Sequence, residues 1–573
     1  MPLLTRFRQT ALALAMGWIS TAALAQDRAP TEPVTSLDAP LLYQLLIGEL
    51  ELQRGELSTA YQLLLDGARR TGDEGLFRRC VSIALQARAG SEALTAVKAW
   101  RAALPDSQEA RQTQVQLHAA LTQWGEMIEP WMAWMDAAPL AQQRAALESL
   151  PRLLRARAGD GLDLLGPSLT ALRDDEAETP WRRSLAASTL AQLALMAGNT
   201  PLATNQLHDA LRDAPQNALP RWQAVELMRH QPSVENLVLE GLDDAELRLA
   251  YARGLARDSR TAEALPQFQR LAELQPQQAP HHYAVASLSL DLKQPSDALA
   301  AADRYLQRLS NEDGHARIAA HLLRAQALEQ LGRTSDATLA LDAAEAADDG
   351  SRQADIAYRR ASLDLRAGRL PAARARIQAL PARDDAGVER RLLLETQLLR
   401  EAGDWRTAHA LLTRMLEGQG SEPSAALLYE QAMTAEHLGQ HELMERQLRA
   451  LIDRDPKHAH AYNALGYSLA DRNQRLDEAR TLIERAIELG GHEPFLIDSL
   501  GWVAYREGHL DDAERLLRQA WRGRPDAEIV AHLAEVLWHR GQRDEAQALL
   551  TQAAQREPKH PALQALRKKL GLR

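Results

Sequence analysis

One pattern of small and branched residues recurs along this chain at a nearly fixed interval. Leu500-Gly501 is followed by Gly508, Ala513, Leu517, Ala520 and Pro525. One period later, Leu533-Ala534 leads to Gly541, Ala546, Leu550, Ala553 and Pro558. One period earlier, Leu465-Gly466 leads to Ala479 and Ala486, with one extra residue in the turn. A repeat of roughly 34 residues is one supersecondary unit that buries its apolar face only against its neighbours. It therefore argues against the set of independent domains that 573 residues would otherwise suggest. Each unit reads as two antiparallel helices. Gly501 and Ala513 let them approach closely, while Leu517 and Ala520 pack toward the next unit. Gly508 permits the tight turn, and Pro525 stops the second helix because it cannot continue the hydrogen-bond ladder.

The small anchor can be followed upstream. Ala264, Ala298, Ala337, Ala373, Ala408, Met444, Ala479, Ala513 and Ala546 are spaced by 34, 39, 36, 35, 36, 35, 34 and 33 residues. Ala203 stands with Gly198, Leu207, Ala210 and Pro215, Ala93 with Trp100 and Pro105, and Ala60 with Gly48, Gly55 and Leu64. The segments Leu140 to Thr179 and Gln216 to Asp244 fit poorly and read as degenerate or bare helical pairs. These positions match the tetratricopeptide pattern. The match implies an all-α solenoid, a right-handed superhelix of helix pairs with one continuous core and a long concave face. Composition agrees: aromatics are only 4% and Ile occurs 12 times, too few for an all-β fold.

The organisation expected is a signal peptide over residues 1–25, a flexible leader over 26–40, divergent repeats over 41–244, regular repeats over 245–558 and a capping helix over 559–573. Arg6 and Arg8, the apolar run Ala11 to Ile19 and the small-residue site Ala23-Leu24-Ala25 carry the first of these. Cleavage after Ala25 implies export, with the periplasm as destination. No later stretch reads as a membrane span, and no cysteine lies near the cleavage point to carry a lipid. A net charge of −10 gives no electrostatic case for a nucleic-acid partner.

Chemistry-bearing motifs are missing. There is no Gly-rich phosphate loop, nucleophile elbow or H-E-x-x-H helix. His437 and His441 flank the turn glycine Gly439 and read as solvent-facing. His281-His282, and His458 with His460, lack the acidic or cysteine partners of a metal shell. Cys80, the one cysteine, reads as a small buried helical residue. Trp124, Trp131 and Trp134 read as core, with Trp134 on the inward face of a second helix. The expectation is a protein without enzymatic activity or cofactor.

In tetratricopeptide units the first helix of each pair lines the concave groove, beside the small core positions. This places Tyr429, Met433 and His437 there, then Asn463, Tyr467 and Asp471. Asp498, Trp502, Tyr505 and Arg506 follow, and then Glu535, Trp538 and His539. Upstream groove positions are plain: Gln326, Glu329 and Gln330, then Ser362 and Arg366, then Gln397, Arg400 and Glu401. Tyr429, Tyr467, Asp498, Trp502, Tyr505, Arg506 and Trp538 form the candidate partner-binding site, since aromatics with a few charges make an interaction hot spot. Packing of these rings between successive first helices is the alternative. The Lys and Asn arrangement of carboxylate-clamp repeats is absent.

The stretches Tyr462-Asn463-Ala464-Leu465-Gly466-Tyr467-Ser468-Leu469-Ala470-Asp471-Arg472, Leu476-Asp477-Glu478-Ala479 and Leu496-Ile497-Asp498-Ser499-Leu500-Gly501-Trp502-Val503-Ala504-Tyr505-Arg506 are more specific than the bare repeat. They resemble a group of exported proteobacterial tetratricopeptide proteins and, within it, the envelope adaptors of carboxyl-terminal processing proteases. The resemblance implies a periplasmic scaffold that holds the protease and its cell-wall hydrolase substrates. Those adaptors are outer-membrane lipoproteins, and this chain departs from them in lacking the lipidation cysteine. Peripheral association with the outer membrane is compatible with that departure. The alternative is a structural bridge within an envelope assembly or polysaccharide-export complex.

Overall fold

The computed structural model describes residues 38–154, 159–310, 312–418 and 424–572. The expected signal peptide lies outside them. The described residues form 31 α-helices and no strand, and they divide into two compact units that meet in sequence at Gly241 and Leu242. The fold is an all-α tetratricopeptide-repeat solenoid. No helix among the described residues is long and apolar enough to cross a membrane.

The anchor positions explain the helix pairing. Ala60, Ala93, Ala203, Ala264, Ala298, Ala337, Ala373, Ala408, Met444, Ala479, Ala513 and Ala546 are all completely buried. Each lies early in the second helix of a pair, and all but Met444 are alanines, small enough for the partner helix to come close. The first helix contributes the matching gap. A Cβ placed on Gly501 would come within 2.8 Å of Leu517 Cγ. One on Gly466 would meet Ile483 Cγ1 at 2.7 Å and the Ala479 carbonyl oxygen at 2.8 Å. The turn between the helices needs a left-handed residue, with φ of +88° at Gly508 and +82° at Gly541. Where glycine is missing the turn keeps its shape at a cost, as at Thr122 (+59°) and Ser259 (+55°). The extra residue after Gly466 gives a turn with two left-handed residues, Asn473 and Arg475.

The first unit departs from the frame where the sequence does. The helix Leu140–Leu154 does not pair with its successor; Gly161–Asp174 packs instead on Pro180–Met196. Bulky side chains fill the irregular space. Trp131 and Trp134 meet edge to face with centroids 5.6 Å apart, among Met127, Met132 and Met135. The Trp131 indole N–H donates to Thr189 Oγ1 at 3.2 Å. Cys80 is fully buried, and burial pushes its thiol up to about 12.

The second unit comprises nine helix pairs, from Ala245–Arg257 with Thr261–Leu274 to Ala527–His539 with Arg543–Arg556, and the closing helix Pro561–Lys569. Most successive first helices touch one another, whereas successive second helices are set apart, so the first helices form the inner layer. The unit also returns on itself. Thr261–Leu274 packs against Leu510–Gly523, more than 230 residues later. Ser259 Oγ donates to Glu493 Oε2 at 3.3 Å across this seam. A Cβ on Gly523 would stand 3.4 Å from Arg260 Cγ across the seam, and 2.9 Å from Pro494 Cγ within its own helix pair. A polar cavity of about 330 Å³ lies along the seam, lined by Asp291, Lys293, Arg524, Asp526, Glu528 and His560 among others.

Candidate functional site

The inner layer of the second unit is not uniform. Between Pro494–Arg506 and its neighbours on either side the first helices touch. There the candidate residues are brought together, but around one another. Asp498 and Trp502 are each only 5% exposed. The imidazole of His532 is buried against both. Its Nδ1–H donates to the Asp498 carboxylate, 2.9 Å from Oδ2, and its ring stacks on Trp502 with centroids 4.3 Å apart. On the other side, His532 Nε2 is 3.3 Å from the Tyr467 hydroxyl.

The electrostatics of this cluster follow from burial and neighbours. Burial pulls the His532 pKa down, but the charges of Asp498, Glu528 and Asp471 outweigh it and the value is raised. Burial raises the carboxyls of Glu528 and Asp526 and lifts the Tyr467 phenol well above its usual range. Tyr505 continues the network. Its hydroxyl donates to Glu535 Oε1 at 3.0 Å, and the same oxygen receives Lys569 Nζ at 2.7 Å. Arg506 lies over the Trp502 ring at 5.9 Å. Trp538 is half-buried with Arg543 against its ring, and belongs to the C-terminal core around Leu533 and Leu537. Thus Asp498 and Trp502 lie inside the wall, where the sequence expectation has them on its surface. Nothing in the local periodicity marks His532, because it shares a helix face with groove positions and lacks an adjacent motif.

Upstream, the inner layer opens. The first helices Asp385–Glu401, Ala425–His437 and Ala459–Asp471 flank a concavity of about 860 Å³. The middle repeat is the one anchored by Met444, a longer side chain where its neighbours have alanine. Ala386, Leu393, Leu394, Ala426 and Tyr429 give the concavity an apolar floor. Glu389, Arg390, Gln397, Arg400, Glu430, His458 and His460 surround it. Tyr429 is the one candidate residue that lines it. Its ring lies 5.7 Å from that of His458 and 6.4 Å from that of His460, which in turn stacks on Phe495 at 5.2 Å. Gln397 and Arg400, plain by composition, line this opening, and Leu393 and Leu394 were hidden in a leucine-rich helix whose core and groove leucines look alike.

Other histidines have structural partners. His281 and His282 are buried and bond Gln275 Oε1 at 2.9 Å and the Pro276 carbonyl at 3.0 Å. His437 stacks on Trp405 at 3.7 Å, and His441 pairs with Glu436 at 3.0 Å. His437 is exposed as expected, and His441 is only partly so. No group of three or more His, Cys, Asp or Glu side chains among the described residues is arranged to hold a metal ion.

Two parts of the chain match tetratricopeptide repeat family profiles, residues 445–494 and 504–570. The chain is also 51% identical over 109 residues to the TPR repeat-containing protein PA4667 of Pseudomonas aeruginosa. That alignment covers 19% of this chain and 18% of the relative, so it spans under a fifth of either protein. Among solved structures, the APC/C hetero-tetramer Cut9-Hcn1 is similar over 93% of this chain and 96% of its own, at 12% identity and a TM-score of 0.28. A thermophilic TPR protein of Thermus thermophilus is similar over 32% of this chain and 100% of its own, at 26% identity and a TM-score of 0.29. The matching profiles describe repeats that serve as protein-interaction scaffolds, and no catalytic family is among them.

Proposed function

We propose that this tetratricopeptide-repeat protein is a non-enzymatic periplasmic scaffold that holds a carboxyl-terminal processing protease together with its cell-wall hydrolase substrates. The observation that carries the scaffold role is the open stretch of inner wall between Asp385–Glu401 and Ala459–Asp471: it offers apolar floor and polar rim over several repeats, with no reactive constellation beside it. Binding two proteins to one array raises their effective concentration for each other, which accelerates their encounter without new chemistry. The resemblance of the 462–506 stretch to protease adaptors supports the identity of the partner, and the Ala23-Leu24-Ala25 site supports export.

The test is affinity capture with the tagged full chain from envelope extracts, with the amino terminus of the recovered chain sequenced. A processing protease in the eluate and a chain beginning at Gln26 are expected. Glycan-synthesis or export subunits in its place would turn the reading to a bridging component. An eluate that matches the untagged control would overturn the scaffold role, and an intact Met1 would overturn export.

A further inference from the structure

The helix Ala39–Gln53 is apolar on two opposite faces. One face packs on Leu57–Thr71. There Leu41 and Gly48 are buried, and a Cβ on Gly48 would meet Leu64 at 3.0 Å. The other face has no such neighbour among the described residues. Leu42 is 50% exposed, Tyr43 68%, Leu46 55% and Leu50 46%. At 100° per residue these four lie within about 100° of arc around Leu46. Nine large apolar side chains are exposed among the described residues, and four of them stand on this one face, so they form a patch rather than ordinary scatter. The last helix, Pro561–Lys569, differs: it buries Leu563 and Leu566 and exposes Gln564, Lys568 and Lys569, as a closing repeat should.

The sequence around the patch narrows what can cover it. The expected leader, residues 26–37, offers Val34 and Leu37 as its large apolar side chains and carries Pro30 and Pro33, too little to cover four. A membrane surface fits poorly. Interfacial helices hold to anionic headgroups through Lys and Arg, whereas Ala39–Gln53 contains neither and has Glu49 and Glu51. The patch does match itself. Leu42, Leu46 and Leu50 are evenly spaced, so a two-fold axis through Leu46 sets Leu42 against the second copy's Leu50 and Leu46 against its own mate. The same axis sets the Tyr43 phenol opposite the second copy's Glu49, whose side chain is 44% exposed beside Arg79. Charge selects the antiparallel order. Asp38 precedes the helix and Arg54 follows it, with side chains 58% and 69% exposed. Antiparallel pairing brings acidic end to basic end and opposes the helix dipoles; parallel pairing brings like ends together.

We propose that this face of Ala39–Gln53 is a homodimer interface, in which two copies of the chain pair these helices antiparallel about a two-fold axis at Leu46. A single pair of 15-residue helices falls at the low end of interface sizes, below about 1,200 Å². The dimer is therefore a weak one that fills as concentration rises.

Sedimentation equilibrium of the mature full chain across roughly 1–200 μM tests it, since a weak interface fills in that range. The average mass is expected to climb from one chain toward two. Leu46→Glu puts like charges on the axis and should raise the dissociation constant about tenfold or more, with unchanged circular dichroism. Leu339→Glu, at a side chain 66% exposed on another helix, should leave it unchanged. Cysteine linking reads the geometry without relying on that variant, because Cys80 is fully buried. Leu46→Cys should oxidise to a linked dimer. Leu42→Cys and Leu50→Cys should link to each other when mixed but not to themselves, since a residue four positions off the axis stands about 12 Å from its own mate. A single-chain mass at every concentration overturns the inference and leaves the face to the leader or to a different protein. A dimer that Leu46→Glu does not weaken, or linking of Leu42→Cys to itself in preference to Leu50→Cys, overturns it as well.

Discussion

Two adjoining stretches of one inner wall, sharing the helix Ala459–Asp471, are built from similar residues and do opposite things with them. From Tyr467 to Trp538 the aromatic rings and charges face each other: Trp502 on His532, His532 on Asp498, Tyr505 on Glu535. Around Tyr429 the helices part, and polar groups are left with capacity. Aromatic density in a sequence therefore does not by itself tell a closed stretch of wall from an open one. What separates the two is whether the first helices of successive repeats pack directly on one another.

The largest effect that would test this contrast is on Trp502. Trp502→Ala should cost about 3–5 kcal/mol of stability, as removal of a buried indole usually does. The loss should be seen as early proteolysis within residues 460–560, while partner affinity of the folded protein at the Tyr429 opening is unchanged. Loss of partner affinity with an unaltered denaturation midpoint would return the binding site to the closed stretch.

The helix interfaces provide the next test. Gly466→Ala aims a methyl at a backbone carbonyl, which cannot turn aside, and should cost about 1–3 kcal/mol. Gly501→Ala meets only side-chain atoms, those of Leu517 and Leu516, and should cost less. Equal midpoints in urea for the two variants would show that the wall there yields as a whole. Gly501→Trp, far larger, should loosen the adjacent repeats before the distant ones.

A smaller effect is expected from pH. The folded pKa of His532 is raised, so the stability it contributes is fully present below its unfolded value and is lost as pH rises through the folded one. Glu528 and Asp526, raised by burial, act in the same direction from a lower starting pH. Hydrogen exchange over Pro494–His539 should therefore quicken as pH rises above about 6.5, after correction for intrinsic rates, and His532→Gln should flatten that rise. The Tyr429 opening, lacking such a buried pair, should show no matching trend.

The smallest effect has the opposite sign and lies outside both stretches. Thr122 holds φ of +59°, which a β-branched residue adopts at a cost. Thr122→Gly should raise stability by a few tenths to about 1 kcal/mol, net of the added freedom of the unfolded chain. A drop in the midpoint would mean that the Thr122 side chain contributes more than its backbone costs.

The helix pairs were legible because their determinants are local and periodic. A small anchor such as Ala513, a turn glycine such as Gly508 and a stop such as Pro525 all sit within one repeat. The irregular Leu140–Asp174 region was visible as a failure of that pattern. The placement of Trp502 and Asp498 was not legible, since it depends on His532, which is supplied by the following repeat. The opening at Leu393 was hidden for the same reason: it results from the distance between first helices of successive units, and no residue within one unit records it. Tyr429 stands out in the sequence by its aromatic ring, whereas Arg390, which lines the same opening, looks like any other arginine in a chain with many.

The seam in the second unit changes what binding means kinetically. If a segment binds along the inner wall as proposed, it is threaded through a closed turn, and it leaves by sliding out end first or by parting Ser259 from Glu493 and Gly523 from Arg260. Repeat interfaces are alanine and leucine, whereas the seam is polar and surrounds the cavity at Asp291 and Arg524. Polar contacts between packed bodies part more readily than an apolar core. Residence time is thereby separated from affinity: the wall sets how tightly a segment is held, and the seam sets how a segment with bulky ends gets in or out.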